Sequence, residues 1–105
     1  NGDGDILMMR EEYDKRRKYL LQSVREMGLD CFEPKGAFYI FPSIKSTGLT
    51  SIEFAKRLLY EAKVAVVPGN AFGENGEGYV RMAYATSMEN LEEAVKRMKE
   101  FMSKF

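Results

Sequence analysis

The chain has 105 residues, a length that fits one domain with a modest core and falls short of most complete metabolic enzymes. Its sixteen basic and sixteen acidic residues cancel, so it lacks the positive excess that marks binding to nucleic acid or to an anionic membrane. With no histidine and a single cysteine, a Ser/His/Asp or Cys/His triad, a His-based metal site and an internal disulfide are excluded within these residues. Cys31 reads as a buried, inert thiol of a reducing compartment. No apolar run approaches the roughly 20 residues that span a bilayer, and the amino terminus carries no signal-peptide pattern. The expectation is a cytoplasmic protein without nucleic-acid or membrane partners. NGDGD at 1–5 is linker-like and opens on Asn1 rather than methionine, so residues 1–105 are expected to form a single domain excised from something longer, with 1–5 a linker remnant.

From about Asp5 to Met27, the positions Met9, Tyr13, Leu20, Val24 and Met27 recur at helical spacing, and Ile6 and Leu21 widen the stripe. Asp5 can cap the start, and Gly28 supplies a left-handed stop. Glu11 with Lys15 and Glu12 with Arg16 are helical pairs, and the run DKRRK at 14–18 reads as a solvated face. Leu29 to Glu33 is a short strand candidate, and Pro34-Lys35-Gly36 turns the chain into a second strand, Ala37 to Phe41. AFYIF is apolar on both parities, which is the pattern of a strand covered on both sides.

Thr50 followed three residues later by Glu53 has capping-box spacing. The helix it opens carries Ala55, Leu58, Leu59 and Ala62 on one face and should end near Lys63. Val64 to Val67 reads as a short buried strand stopped by Pro68-Gly69. PGNAFGENGEG at 68–78 holds four glycines but lacks the GK[ST] ending of a P-loop and precedes a strand, not a helix. It reads as a mobile hairpin loop whose one large apolar residue, Phe72, pins it to the core or lines a pocket.

The stretch GYVRMAYA at 78–85 is the centre of the chain. Alternation puts Tyr79, Arg81, Ala83 and Ala85 on one face of a strand and Val80, Met82 and Tyr84 on the other. Arg81 then projects beside two small alanines that leave room for something to dock. A cation on a partly desolvated face needs an anion, and its planar fork suits a carboxylate. The alternatives are an internal ion pair with Glu74 or Glu77, or an arginine snorkelling from a sheet edge. After it, Thr86 with Glu89 repeats the capping-box spacing, with Ser87 a rival cap. Leu91, Ala94, Val95, Met98, Phe101, Met102 and Phe105 then give the clearest helix in the chain. The order helix, strand, strand, helix, strand, strand, helix implies an α/β two-layer sandwich, with a small, mainly antiparallel sheet covered by helices on one face.

Three pieces, PKGAFYIFPSI at 34–44, VAVVPGNAFG at 64–73 and GYVRMAYATSMENLEEAVKRM at 78–98, stand in the order and spacing seen in class I and II pyridoxal-phosphate-dependent aminotransferases of fold type I. The chain resembles the carboxy-terminal small domain of an aspartate-type transaminase over essentially its whole length. EYDKRRKYLLQSVREMGLDCFEP at 12–34 is similar to the helix and first strand that open that domain. The resemblance implies that Arg81, in RMAYA, binds the substrate's α-carboxylate. It places the loop of Pro68, Gly69, Phe72 and Gly73 near a domain interface and lets Gly36 bring the chain close to the active-site cleft. The Schiff-base lysine and the residues that hold pyridoxal 5'-phosphate belong to the family's large domain, and none of their motifs occurs here, so no residue of this chain is assigned a catalytic, cofactor-binding or metal-binding role.

The implied function is that of a substrate-binding and lid domain in an enzyme that moves an amino group between an amino acid and a 2-oxo acid. Its partners are those substrates and the large domain of the same enzyme, which the resemblance makes a homodimer, and the piece alone is expected to be inactive. Oxoamine synthases and some lyases keep a comparable arginine, and a free-standing ferredoxin-like binding module is the alternative from another class. Aspartate, aromatic and alanine donors all remain open.

Overall fold

The computed structural model describes the backbone of residues 2–32 and 38–105 and the side chains of residues 11–32 and 38–105. The elements in chain order are α1 (Gly2–Glu26), β1 (Tyr39–Ile40), α2 (Ser51–Arg57), β2 (Val67–Pro68), β3 (Val80–Ala83) and α3 (Met88–Met102). The three strands form an antiparallel sheet in the order β1-β3-β2, with Tyr39 opposite Ala83, Ile40 opposite Met82, Val67 opposite Arg81 and Pro68 opposite Val80. The helices cover one face, giving the expected α/β sandwich.

The core lies between that face and the helices. Ile40, Val80, Met82 and Tyr84 come from the sheet side, Leu20, Leu21 and Val24 from α1, Phe54 and Leu58 from the second helix, and Leu91, Val95, Met98, Phe101 and Met102 from α3. Each fully buried aliphatic or aromatic side chain here contributes about 1.5–3 kcal/mol by leaving water. The molecule measures 49 × 29 × 21 Å. The longest element is α1, whose 25 residues extend about 37 Å. Tyr13 and Met27 are half-buried on its stripe, while Met9 and Ile6 have side chains outside those described.

Several boundaries differ from the sequence expectation. Helix α1 begins at Gly2, three residues before Asp5, so Asp5 is not its cap; propensity at two glycines is a weak force against continuation of an established helix. The helix stops as expected, with Gly28 at φ 89°. Arg16 pairs with Glu12 at 3.4 Å, and Arg17 reaches Asp14 at 3.3 Å. Leu29 to Phe32 is not a strand. Its burial alternates as a strand's would, but its one described ladder-like bond is Ser43 N–H to the Asp30 carbonyl at 2.7 Å. Strand β1 is confined to Tyr39–Ile40; Ile40 is fully buried and Phe38 on its side packs on Tyr13, while Phe41 on the other side is exposed, so the described part of AFYIF is covered by the helices on one side.

The Thr50 box forms in full: its hydroxyl accepts from Glu53 N–H at 3.2 Å, and the Glu53 carboxylate accepts from Thr50 N–H at 3.1 Å. Past Arg57 the helix widens into a π-turn, Leu58–Ala62, that ends on Lys63 in the left-handed region at φ 60°. The buried row is therefore Phe54, Leu58 and Ala62, and Leu59 is turned to solvent, 48% exposed. Strand β2 pairs at Val67–Pro68, opposite Arg81 and Val80, and not over Val64–Val67; Pro68 is tolerated on an edge strand, where its missing N–H is not needed. Ser87, not Thr86, caps α3, accepting from Asn90 N–H at 3.1 Å.

The connection 68–78 is tightly built. It contains two 3-10 turns, Gly69–Phe72 and Glu74–Gly76, and a Cβ placed on either Gly69 or Gly76 would run into the other's carbonyl oxygen. Gly69 N–H also donates to the Tyr79 carbonyl at 2.7 Å. Gly76→Ala is accordingly expected to cost at least about 2 kcal/mol in urea unfolding, since backbone must move to admit the methyl. The opposite outcome is expected at the helix end, where Lys63→Gly relieves a left-handed residue and should raise stability by about 0.5–1 kcal/mol.

Candidate functional site

Strand β3 lies between the other two strands, and its burial alternates as the sequence requires: Val80, Met82 and Tyr84 are buried, while Arg81 is half-buried on the opposite face. Two aromatic rings bound the guanidinium. Its carbon stands 4.2 Å from the centre of the Tyr39 ring and 4.8 Å from that of Phe72. Tyr39 arrives there by register, because it sits opposite Ala83 on the neighbouring strand. The space beside Ala83 that the sequence left open is thus partly taken by a tyrosine. Phe72 comes from the first 3-10 turn of the connection and meets Phe41 edge-on, with ring centres 6.1 Å apart at 87°.

No ion pair joins Arg81 to any described residue. Both candidate internal partners are spoken for or apart from it: Glu77 turns to the start of α2, accepting from Ser51 N–H at 2.8 Å and Ser51 Oγ at 3.0 Å, and Glu74 makes no pair with Arg81. Those hydrogen bonds hold the Glu77 carboxyl below the usual carboxylate range, the Ser51 backbone N–H contributing most. No described residue accepts a hydrogen bond from the Arg81 side chain, and a guanidinium that meets rings through its face keeps its in-plane donors available. The face around it is apolar and open: Phe41, which meets Phe72, is 44% exposed and Phe72 is 49% exposed, whereas Phe38 lies at the parity of Ile40 and packs on Tyr13 of α1. Ile40, between Tyr39 and Phe41, points into the core instead. Gly36 lies outside the described residues.

Aminotransferase class I and II is the family whose signature matches this chain, over residues 3–98. The chain belongs to that family. It corresponds to a small, C-terminal-like part of a fold-type I enzyme. It is 63% identical over 94 residues to an aspartate aminotransferase of Pyrococcus abyssi, an alignment covering 90% of this chain and 24% of that protein. It is 57% identical to aromatic-amino-acid aminotransferase 2 of Thermococcus litoralis, again over 90% of this chain and 24% of that one. Among solved structures, the aromatic aminotransferase from Pyrococcus horikoshii superposes with a TM-score of 0.93 at 55% identity, covering 96% of this chain and 27% of that one. The alanine aminotransferase from Pyrococcus furiosus gives 0.87 at 36% identity over 90% and 25%. The chain therefore spans about a quarter of the length of the relatives it matches.

The family implies pyridoxal phosphate. A lysine that forms a Schiff base needs a desolvated pocket to lower its pKa, and every described lysine of this chain is solvent-exposed. The described residues do not fit the cofactor's anchoring set. Among the described residues no group of three acidic or cysteine side chains could hold a metal ion, and no helix is long and apolar enough to cross a membrane. Cys31 is buried, and that burial pushes its thiol above the ordinary value.

The sequence reading missed Tyr39, hidden in a run treated as uniformly apolar, and it missed the Glu77–Ser51 contact. The first had a signal: a tyrosine among phenylalanines at the parity of an outward face. The aromatic lining of the site is separate from the core, and two variants distinguish them. Phe54→Ala, at a fully buried ring, is expected to cost about 3–5 kcal/mol, whereas Phe72→Ala should cost about 1 kcal/mol or less; denaturant unfolding of the two variants gives the comparison.

Proposed function

We propose that this chain is the substrate-carboxylate-binding and lid domain of a pyridoxal-phosphate-dependent aminotransferase, with Arg81 gripping the α-carboxylate of the amino acid and of the 2-oxo acid. The observation that carries this reading is a half-buried guanidinium flanked by Tyr39 and Phe72, with no carboxylate of the described residues paired to it. Removing such a cation from water is unfavourable unless an external anion compensates, and the free in-plane donors match the two oxygens of a carboxylate. Gripping that group at two points orients the α-carbon and its hydrogen, so the domain supplies position to the reaction.

On this reading pyridoxal phosphate and the Schiff-base lysine belong to the large domain, which meets the exposed aromatic face of Phe41 and Phe72. Closure of this domain over the substrate then excludes water from the site. The relatives' names divide among aspartate, aromatic and alanine donors, and an anchor for the carboxylate common to all of them is compatible with each.

In the intact enzyme, Arg81→Lys keeps the charge and loses the fork. It should lower kcat/KM for the amino donor by about 10²-fold, the equivalent of about 3 kcal/mol for a charge-assisted bidentate pair. Steady-state kinetics with kcat/KM unchanged would remove the assignment. The chain alone, supplied with pyridoxal phosphate and an amino acid, should show no transamination.

A further inference from the structure

We infer that Glu77 is a positioning residue for the carboxylate site, an inference that rests on the reading of Arg81 given above. Its carboxylate ties two parts of the chain that are 26 positions apart. One oxygen accepts from Ser51 N–H at 2.8 Å and from Gly78 N–H at 2.9 Å; the other accepts from Ser51 Oγ at 3.0 Å. Thr50 spends its hydroxyl on Glu53 N–H, so Glu77 satisfies one of the first-turn backbone donors that the capping box leaves over, that of Ser51. Gly78 turns into β3 with φ 89°, three residues before Arg81.

The same Ser51 side chain, fully buried, stands 3.4 Å from Asn70 Oδ1 on the other limb of the connection. Both limbs of 68–78 thus meet at one serine, and Phe72 rides on the turn between them, 4.8 Å from the Arg81 guanidinium. The close approach of Gly69 and Gly76 makes the connection move as one body. Freeing Glu77 therefore shifts Phe72 and uncovers one side of Arg81, although Glu77 touches neither Arg81 nor any substrate group it would bind.

The test uses the intact enzyme and the ratio of kcat/KM for an amino acid to that for its decarboxylated amine, with L-alanine against ethylamine and L-tyrosine against tyramine. The ratio isolates carboxylate recognition, which a loss of general stability does not move. Glu77→Gln, which replaces one acceptor oxygen with a donor, is expected to lower the ratio about tenfold, and Arg81→Ala about 10²-fold or more. The double variant should match Arg81→Ala within about twofold, because both changes act through one group. Ser51→Ala, which keeps the backbone contact, should give about a threefold fall and carries the test if Glu77→Gln does not fold. A folded Glu77→Gln enzyme with the wild-type ratio, or a double variant with additive losses, overturns the positioning role while Arg81→Ala still shows its deficit. An unchanged ratio in Arg81→Ala overturns the carboxylate reading itself, and the role of Glu77 with it.

Discussion

A four-residue strand whose alternate side chains enter the core leaves the residue between them one direction to point. Val80 and Met82 flank Arg81 and are 0% and 6% exposed, and together their burial contributes about 3–6 kcal/mol. A slip of one position would exchange them for Arg81, placing a guanidinium in a core of leucine, valine and phenylalanine at a far greater cost. Pairing on both sides, with Tyr39–Ile40 and with Val67–Pro68, removes the remaining freedom. The direction in which the arginine points is thus a consequence of its neighbours' hydrophobicity.

What surrounds the arginine depends on a second constraint, the closeness of backbone at Gly69 and Gly76. A connection that merely looped between strands would leave Phe72 free to collapse onto the core. The two 3-10 turns hold it out, 49% exposed, where it meets Arg81 and Phe41. The rings shield the guanidinium from water without competing for its N–H groups, which strengthens its field toward an incoming anion.

Much of this was legible before the fold. The alternation of Tyr79 to Ala85, the Thr50–Glu53 box, the Gly28 stop and the stripe of α3 each rest on interactions between residues a few positions apart, and these are what a sequence writes down locally. The errors fall where a distant segment decides. Leu59 faces solvent because the helix opens into a π-turn against α3, and Leu29 to Phe32 has a strand's pattern without a partner to pair along it. Pro68 reads as a stop and is instead the last residue of an edge strand. Glu77 had an obvious candidate cation four residues away in Arg81, yet it bonds Ser51, whose N–H and hydroxyl the fold brings to it. The same error explains the site: the pair of Arg81 with Glu77 is not made because that carboxylate is occupied at Ser51, and Glu74 makes no pair with Arg81 either.

That occupancy gives the arrangement its chemical sense. A carboxylate close in sequence to a substrate-binding arginine would compete with the substrate for it, and the competition would be strong because one partner is tethered. Bonding Glu77 to Ser51 N–H, Ser51 Oγ and Gly78 N–H removes that competitor, and the same hydrogen bonds hold its carboxyl below the usual carboxylate range. The interaction that orders the connection is therefore the one that leaves the guanidinium unpaired. On the proposed reading, an Arg81 left without an internal partner is the property that lets one small domain serve relatives named for different amino donors, since it recognises the group those donors share.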